Sequence, residues 1–186
     1  MKSSYFTSDH HFYHYNIIKY TQRPFSSTEE MNEAMFQNWN AVIKPDDYVY
    51  HLGDFAFCDV YKACDLLDRL NGIKFLIEGN HDRKLLKEKR FRDKFGWIDK
   101  MAGVEVNGQY IILCHYAMRV WDKSHHGSWQ LFGHSHAKLP DLPDSLSMDV
   151  GVDTNDFKPY SFDDIKQIMS KKTFVNYKRT KDKVEL

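Results

Sequence analysis

Five short polar motifs, each placed directly after an apolar run, contain the residue types that could do chemistry. The chain has ten histidines, and most of them lie in tight clusters near aspartate or asparagine. In sheet proteins with helical crossovers, the loops at strand ends converge on one crevice. We therefore expect the polar side chains of these loops to meet in one place: Asp9, His11, Asp54, Asn80, His115, His134 and His136.

The donor atoms of this set are those of a metal centre. Carboxylate, amide oxygen and imidazole together suit borderline divalent ions such as Mn, Fe, Zn or Ni, and no thiolate is required. One carboxylate between two ions can bridge them, and the open positions can hold a hydroxide whose pKa the metals have lowered. The sequence thus indicates two divalent metal ions. Mn is the favoured ion, although availability decides the native metal as much as ligand type does.

Apolar runs and turn residues predict the strands that must position these motifs. Asn107-Gly108, between two such runs, is the strongest short-range signal of a β-hairpin. A hairpin means that the sheets are not purely parallel, and the mixture of strands and helices indicates an α/β fold. We predict strands over residues 2–7, 48–52, 73–77, 101–106, 110–114, 129–132, 146–152 and 173–177.

Capping residues and apolar stripes predict the helices between these strands. Ser27 followed by Glu30 forms a capping-box pattern, and apolar residues recur at helical spacing behind it. A basic helical segment is expected over 84–95 and a short capped helix over 161–169, whereas residues 12–25 are expected to form an aromatic, polar loop. Asp59 can cap a further helix with an inner face of Tyr61, Cys64, Leu67 and Leu70.

The composition is that of an ordinary globular protein, and the 186 residues fit one domain over 1–186. Lysine plus arginine equals aspartate plus glutamate at 26 each, so no global field favours nucleic acid or a membrane surface. No apolar stretch approaches the roughly 18 residues of a membrane span, and the first residues lack the pattern of a secretory signal. Three scattered cysteines without a CxxC spacing indicate free thiols in a reducing cytoplasm.

The order of the motifs resembles that of the calcineurin-like metallophosphoesterases. The resemblance covers residues 5 to about 152, and five ordered motifs are far more specific than any one of them. It implies a four-layer α/β fold in which two mixed β-sheets pack face to face with helices outside. The motifs are DxH at Asp9–His11, GD at Gly53–Asp54, GNHD at Gly79–Asp82, the lone His115, and GHSH at Gly133–His136.

The resemblance also implies a role for each motif residue. His81 would contact phosphate and protonate the leaving group, and Asp82 would orient His81. Many members carry GDxxD or GDxxN, whereas here Phe55-Ala56-Phe57-Cys58 follows the second motif. That departure puts in doubt the groups that support the bridging ligand. The seven donors divide between two ions: Asp9, His11 and His136 for the first, Asn80, His115 and His134 for the second, and Asp54 as the bridge.

Several residues near the motifs are further candidates. His14 and Arg23 lie in the segment after the first motif and could contact substrate, and Arg119 could pair with phosphate. For His14 a structural role is an equal alternative, and for both arginines a structural or solvated role is favoured. His10 is left out of the metal set, because alternation in an extended segment turns it away. The acids within the basic run 84–94 indicate an exposed helical face rather than a nucleic-acid patch.

The function implied is that of a phosphoesterase that uses in-line attack on phosphorus by a metal-bridging hydroxide. The few residues beyond the motifs leave little room for a cap domain, which favours exposed phosphodiesters, cyclic or nucleotide-derived among them, over enclosed monoesters. The alternative is a non-catalytic metal-binding scaffold of the same fold that acts in protein interaction. A metallo-β-lactamase would need an HxHxDH run and a zincin an HExxH motif, and the chain has neither. The sequence does not indicate an oligomeric state.

Overall fold

Two β-sheets form the framework of the chain, which the computed structural model describes over residues 2–174. The strands are short, and most of them end at one of the polar motifs. In chain order they are β1 (Ser4–Thr7), β2 (Tyr48–His51), β3 (Ile73–Ile77), β4 (Ile98–Asp99), β5 (Met101–Val106), β6 (Gln109–Cys114), β7 (Trp129–Phe132), β8 (Ser147–Asp149) and β9 (Tyr160–Ser161).

The first sheet has the order β4-β3-β2-β1-β9. Its first four strands are parallel, with Phe6 beside Tyr50 and Tyr50 beside Phe75, and β9 joins β1 in the antiparallel sense. Helical crossovers connect β1 to β2 and β2 to β3, as parallel strands require. The carboxyl ends of β1, β2 and β3 therefore lie at the same edge of the sheet.

The second sheet has the order β5-β6-β7-β8. Strands β5 and β6 form the antiparallel hairpin that the sequence predicts, and both turn residues, Asn107 and Gly108, have positive φ angles of 50° and 79°. Two positive φ angles are what a tight type I′ hairpin turn requires. Strands β6, β7 and β8 are parallel, so both sheets are mixed and this part of the sequence prediction is confirmed.

The helices begin at capping residues. Ser27 accepts a hydrogen bond from the backbone N–H of Glu30, Asp59 caps the next helix, and Ser161 forms a full capping box with Asp164. These side chains satisfy N–H groups that have no partner within the helix. The helices are α1 (Tyr15–Tyr20), α2 (Thr28–Val42), α3 (Val60–Arg69), α4 (Lys89–Arg92) and α5 (Phe162–Met169). No helix between residues 2 and 174 combines the length and apolar character needed to cross a bilayer.

Two hydrophobic cores hold these layers together. The outer face of the first sheet packs Val49 and Leu76 against α2 and α3, with Trp39 and Leu67 among the buried residues. The second core lies between the sheets and is built from the following residues, together with others from α5: Phe6, Leu52, Ile77, Ile111, Leu113, Leu131 and Met148. The sheets thus pack face to face, as the resemblance implied.

The structure differs from the sequence predictions in several local details. Residues 15–20 form helix α1 instead of a loop, and the segment 84–95 is broken into a 3-10 turn and the short α4. Tyr61 is exposed rather than part of the inner face of α3. The strand expected over 146–152 is only β8. The strand expected over 173–177 falls mostly outside the described residues, and Thr173 and Phe174 are in no strand.

Candidate metal centre

The loops at the carboxyl ends of five strands bring the seven donor residues together. Asp9 and His11 follow β1, Asp54 follows β2 and Asn80 follows β3, so one edge of the first sheet supplies four of them. The second sheet supplies the other three, which are imidazoles from the segments after β6 and β7. The sequence predicted this convergence, because parallel strands end at a common edge.

Five of these donor residues have a left-handed backbone. The φ angles are 57° at Asp9, 50° at His11, 58° at Asp54, 66° at His134 and 48° at His136. This conformation is uncommon for residues other than glycine, and it persists only where the surrounding structure enforces it. Such strained residues concentrate at functional sites, so the backbone independently indicates that the loops serve a site.

The motif glycines are required by close approach between loops. A Cβ at Gly79 would collide with the backbone N and the carboxylate of Asp54, and a Cβ at Gly133 would collide with the side chains of Ser8 and Asp9. A larger residue at either position would therefore push apart two loops that carry donor residues. This explains the glycine in the GNHD and GHSH motifs.

The first group of donors consists of Asp9, His11 and His136, and their ligand atoms lie within 4.8 Å of one another. Asp9 uses its Oδ2 to accept hydrogen bonds from Ser8 Oγ and His134 N, which leaves Oδ1 without a partner. That Oδ1 atom lies 3.9 Å from Nε2 of His11, which is also buried and without a hydrogen bond. These two atoms without hydrogen-bond partners thus lie close together within the first group.

His136 is oriented for the same group by a buried ion pair. Its Nδ1 lies 2.7 Å from Oδ2 of Asp153, which directs Nε2 toward the other donors. Arg23 in turn holds Asp153 with two hydrogen bonds of 2.8 and 2.9 Å, and it donates to the backbone carbonyls of Asp9 and His10. A carboxylate behind a histidine in this way fixes the tautomer and raises the basicity of the ligand.

The second group consists of Asp54, His115 and His134, again within 4.8 Å of one another. Nδ1 of His115 lies 2.7 Å from the carbonyl of Leu52, and its Nε2 lies 3.1 Å from Oδ1 of Asn80. Asn80 therefore lies beside this group, and its role as a ligand stays a prediction. His134 is exposed, so this half of the centre is open to solvent.

Asp54 joins the two groups. Its Oδ2 lies 3.5 Å from Nε2 of His11 in the first group and 3.5 Å from Nε2 of His115 in the second. Its Oδ1 is occupied by the backbone N–H of His81 at 2.8 Å. Bonds of about 2.0–2.2 Å to nitrogen and oxygen separate two ligands of one ion by about 3 to 4 Å. The observed spacings therefore fit two ions that share Asp54.

The pKa values of four ligand residues are strongly shifted in the metal-free protein. Burial raises the pKa of Asp9 to about 7, and burial lowers the pKa of His11 to about 2. Burial opposes the charge of Asp54 and His115 as well, but their mutual hydrogen bond and attraction hold the pKa of Asp54 at about 2 and raise that of His115 to about 9. A bound metal ion would favour the ionised form of Asp9 and the neutral form of His115, because it takes the place of the proton on each ligand.

His81 and Asp82 take different positions in the site. Nε2 of His81 lies 4.0 Å from Oδ2 of Asp54, and 43% of its side chain is exposed, so it faces the open side of the centre. Asp82 is buried and accepts hydrogen bonds from the backbone N–H groups of Asp54, Phe55 and Gly79. The Asp82 carboxylate thus fixes the loop of the bridging ligand, whereas the resemblance implied that it would orient His81.

The candidate substrate contacts separate in the structure. His14 lies beside the centre, half-buried, with its ring 5.4 Å from that of His11. Arg23 is buried, and its guanidinium is used by Asp153 and backbone carbonyls, so the geometry disfavours a substrate contact and indicates a positioning role. Arg119 is exposed and lines a separate groove with Trp121. Contacts of these three residues with substrate remain predictions.

Sequence reasoning missed the residues that support the ligands. Asp153 belongs to no motif, and only its place in the fold reveals that it holds His136. His51 was assigned to a strand only, but its Nδ1 accepts from Gly53 N–H and its Nε2 lies 3.0 Å from Nδ1 of His10. His10 thus lies away from the metal donors, as alternation predicted. Strand alternation also turns His51 toward the core, which was an available but weak signal.

Comparison with known proteins places the chain in a family. It is 38% identical over 178 residues to an uncharacterized protein of Methanocaldococcus jannaschii, MJ1445, which covers 92% of this chain and 93% of that protein. No protein-family profile matches the chain. The chain belongs to the same family as the Methanocaldococcus protein.

A solved structure supports the fold. The crystal structure of AQ665 from Aquifex aeolicus, a protein of unknown function, matches with a TM-score of 0.69 and 27% identity over 90% of this chain and 100% of that chain. A novel archaeal phosphodiesterase matches with a TM-score of 0.48 and 18% identity over 86% of this chain and 98% of that one. The two mixed sheets and the ordered motifs at their edge are the arrangement that the resemblance implied.

Proposed function

We propose that the chain, as one domain, is a metal-dependent phosphoesterase with a binuclear centre. The observation that carries this proposal is the position of Asp54 Oδ2, 3.5 Å from a histidine of each donor group. A single carboxylate shared in this way is the arrangement that sets two ions close together. Isolated ion sites elsewhere on a surface would not need such a bridge.

When bound, two divalent ions supply a water-derived nucleophile of lowered pKa and positive charge for the phosphoryl oxygens. The protein provides the rigid frame for that chemistry. Asp9 and Asp54 each use one carboxylate oxygen for a backbone N–H, so their second oxygens are fixed in place. His115 and His136 are held through Nδ1, which leaves each Nε2 as the donor atom.

His81 is the residue that we assign to the leaving group. It follows Asn80 directly and lies on the open side of the centre. Its Nε2 lies 4.0 Å from Oδ2 of Asp54. An imidazole with these properties can donate a proton to an oxygen that departs from phosphorus. Removal of one such well-placed contact typically lowers kcat about 10²- to 10³-fold.

The open face of the centre favours phosphodiesters over monoesters. His81 and His134 are both exposed, so an ester with substituents on two sides of the phosphorus meets no described lid. Mn is the ion we favour, because the donors are oxygen and nitrogen without thiolate. A phosphate ester, with nucleotide derivatives among the candidates, is the proposed partner, and we propose a cytoplasmic location on the basis of the free cysteines.

A panel of esters tests the proposal. Mn-loaded protein would be assayed with bis(p-nitrophenyl) phosphate, p-nitrophenyl phosphate and cyclic nucleotides, and Asp54→Asn would serve as the inactive control. We expect turnover of the diesters above that of the monoester, and little turnover by the variant. Faster hydrolysis of the monoester would contradict the diester preference. No product from any ester would contradict the enzyme itself and favour the non-catalytic scaffold.

A further inference from the structure

A half-exposed aromatic ring lies beside the centre. Phe57 lies three residues after Asp54 of the second motif, and 39% of the residue is exposed. Exposure of single apolar residues is ordinary. Exposure of a phenylalanine against polar metal donors is not explained by the core, because neither the fold nor the donor groups need a ring there.

The ring of Phe57 lies within reach of substrate on these metals. Its centroid is 5.7 Å from that of His11, a metal donor, and 4.8 Å from that of His81, the proposed acid. A group attached to a phosphate through a sugar would therefore meet the exposed face of the ring.

The ring is also held in place before any ligand arrives. The backbone N–H of Phe57 donates to the carbonyl of Phe12 at 2.8 Å, and Phe12 pairs with Ala56 in a β-bridge. His14 stacks on Phe57 with a centroid distance of 3.9 Å and an interplanar angle of 12°. Since both neighbours fix the ring, a ligand that stacks on it loses little free energy to the ordering of side chains.

We propose that Phe57, backed by His14, is the stacking platform for the base of a nucleotide ester, so that the substrates of this centre are nucleoside phosphates. This inference rests on the proposed function, since the metal centre supplies the phosphate site. His14 thereby acquires a role as the support of the platform.

The chemistry of the platform favours a planar group over an aliphatic one. Tyr20 contacts His14 edge to face at 6.2 Å, so the layers behind Phe57 are aromatic rings. Rings bind a base through its π-face whatever its hydrogen-bonding edge, which gives affinity without strong base specificity. We therefore expect purines and pyrimidines to be accepted alike.

A matched pair of ligands tests the platform. Adenosine 5′-monophosphate and ribose 5-phosphate share the phosphate and the sugar and differ in the base. Isothermal titration of Mn-loaded protein should show tighter binding of the nucleotide. In Phe57→Leu, the Kd of adenosine 5′-monophosphate should rise about 5- to 150-fold, while the Kd of ribose 5-phosphate and the bound Mn stay unchanged. Phe57→Trp should retain the preference.

The controls separate stacking from damage to the fold. Tyr61 is an exposed aromatic residue of α3, so Tyr61→Leu should leave both affinities unchanged. Equal affinity of the native protein for the two ligands, or an equal loss for both in Phe57→Leu, would overturn the platform. Hydrolysis of diesters at the same rate with and without a nucleoside base would refute the platform and leave the enzyme intact. Tighter binding of adenosine 5′-monophosphate than of ribose 5-phosphate, without turnover of any ester, would support the platform and contradict the enzyme.

Discussion

The two halves of the metal centre are built from similar donors but supported differently. In the first, Asp9 and His11 are buried and His136 is half-buried, whereas in the second His134 is exposed to solvent. The first half depends on a side-chain network, in which Arg23 holds Asp153 and Asp153 holds His136. Both halves have three donors besides the shared Asp54, but charges attract each other more strongly away from water. We therefore expect the first half to bind its ion more tightly.

The second half takes its support from the backbone. The carbonyl of Leu52 orients His115, and the N–H of His81 fixes Asp54. Because these partners are main-chain groups, no side-chain substitution removes them directly. The difference teaches that substitution of Arg23 or Asp153 should affect the first ion, whereas His115 has no supporting side chain of this kind to substitute.

Asp54→Asn should have the largest effect, because it removes the one donor that both halves share. We expect loss of both ions and a fall in kcat/KM of about 10³-fold or more. Metal content by atomic emission and steady-state rates would measure the two effects. Asp46→Asn, at an exposed carboxylate, is the control that should change neither. Retention of one full ion by Asp54→Asn would contradict a shared ligand.

Arg23→Met should destabilise the protein strongly. Arg23 is buried, and its loss leaves Asp153 with His136 as its remaining partner and two backbone carbonyls without this donor. Removal of one partner of a buried ion pair typically costs about 3–5 kcal/mol. Urea unfolding of the metal-free protein would measure this free energy of unfolding.

The control for Arg23 is a lysine in an exposed pair. Lys94 contacts Asp68 at the surface, and Lys94→Met should cost less than about 1 kcal/mol. Similar costs for the two substitutions would mean that the Arg23 network contributes no more than a surface ion pair. The contrast between the halves would then lose its physical basis.

Most of the strands and helices could be predicted from the sequence, because the residues that indicate them act locally. The hairpin at Asn107-Gly108 and the capped helices α2 and α5 depend on turn and capping residues, which act within a few positions. Helix α1 was missed, since its six residues contain one buried side chain, Ile17, and no side-chain cap. A helix so short and weakly marked forms because the surrounding structure packs against it.

The candidate site was predictable only as far as its motifs reached. The donors follow strands and carry the glycines that loop contact requires, so their convergence could be inferred. The role of Asp153 could not be inferred, because Asp153 lies outside every motif, 130 positions from Arg23 and 17 from His136. The network behind the first half arises from tertiary packing. No local pattern records it.

His134→Ala should remove one ion and leave the other. His134 belongs to the exposed half and contacts neither Arg23 nor Asp153 through any described hydrogen bond. We expect the bound metal to fall from two ions to one and kcat/KM to fall about 10²-fold. His125→Ala, at a histidine in the 3-10 turn outside the centre, is the matched control. Loss of both ions would show that the halves are not independent.

Asp153→Asn should have the smallest of these effects and should be confined to the first half. The asparagine can still accept from Nδ1 of His136, but it lacks the charge that raises the basicity of the ligand and pairs with Arg23. Loss of such a partner typically weakens metal binding 10- to 100-fold. Titration with Mn, followed by electron paramagnetic resonance, should therefore show one weakened site and one unchanged site.

Asp156→Asn is the control for this substitution. Asp156 is exposed and has a positive φ angle of 48°, which asparagine tolerates as well as aspartate does, so both affinities should stay unchanged. Equal weakening of the two sites by Asp153→Asn would mean that the shared Asp54 transmits the change from one half to the other. In that case the centre would bind its two ions as one cooperative unit, and the difference in support would not produce a difference in affinity.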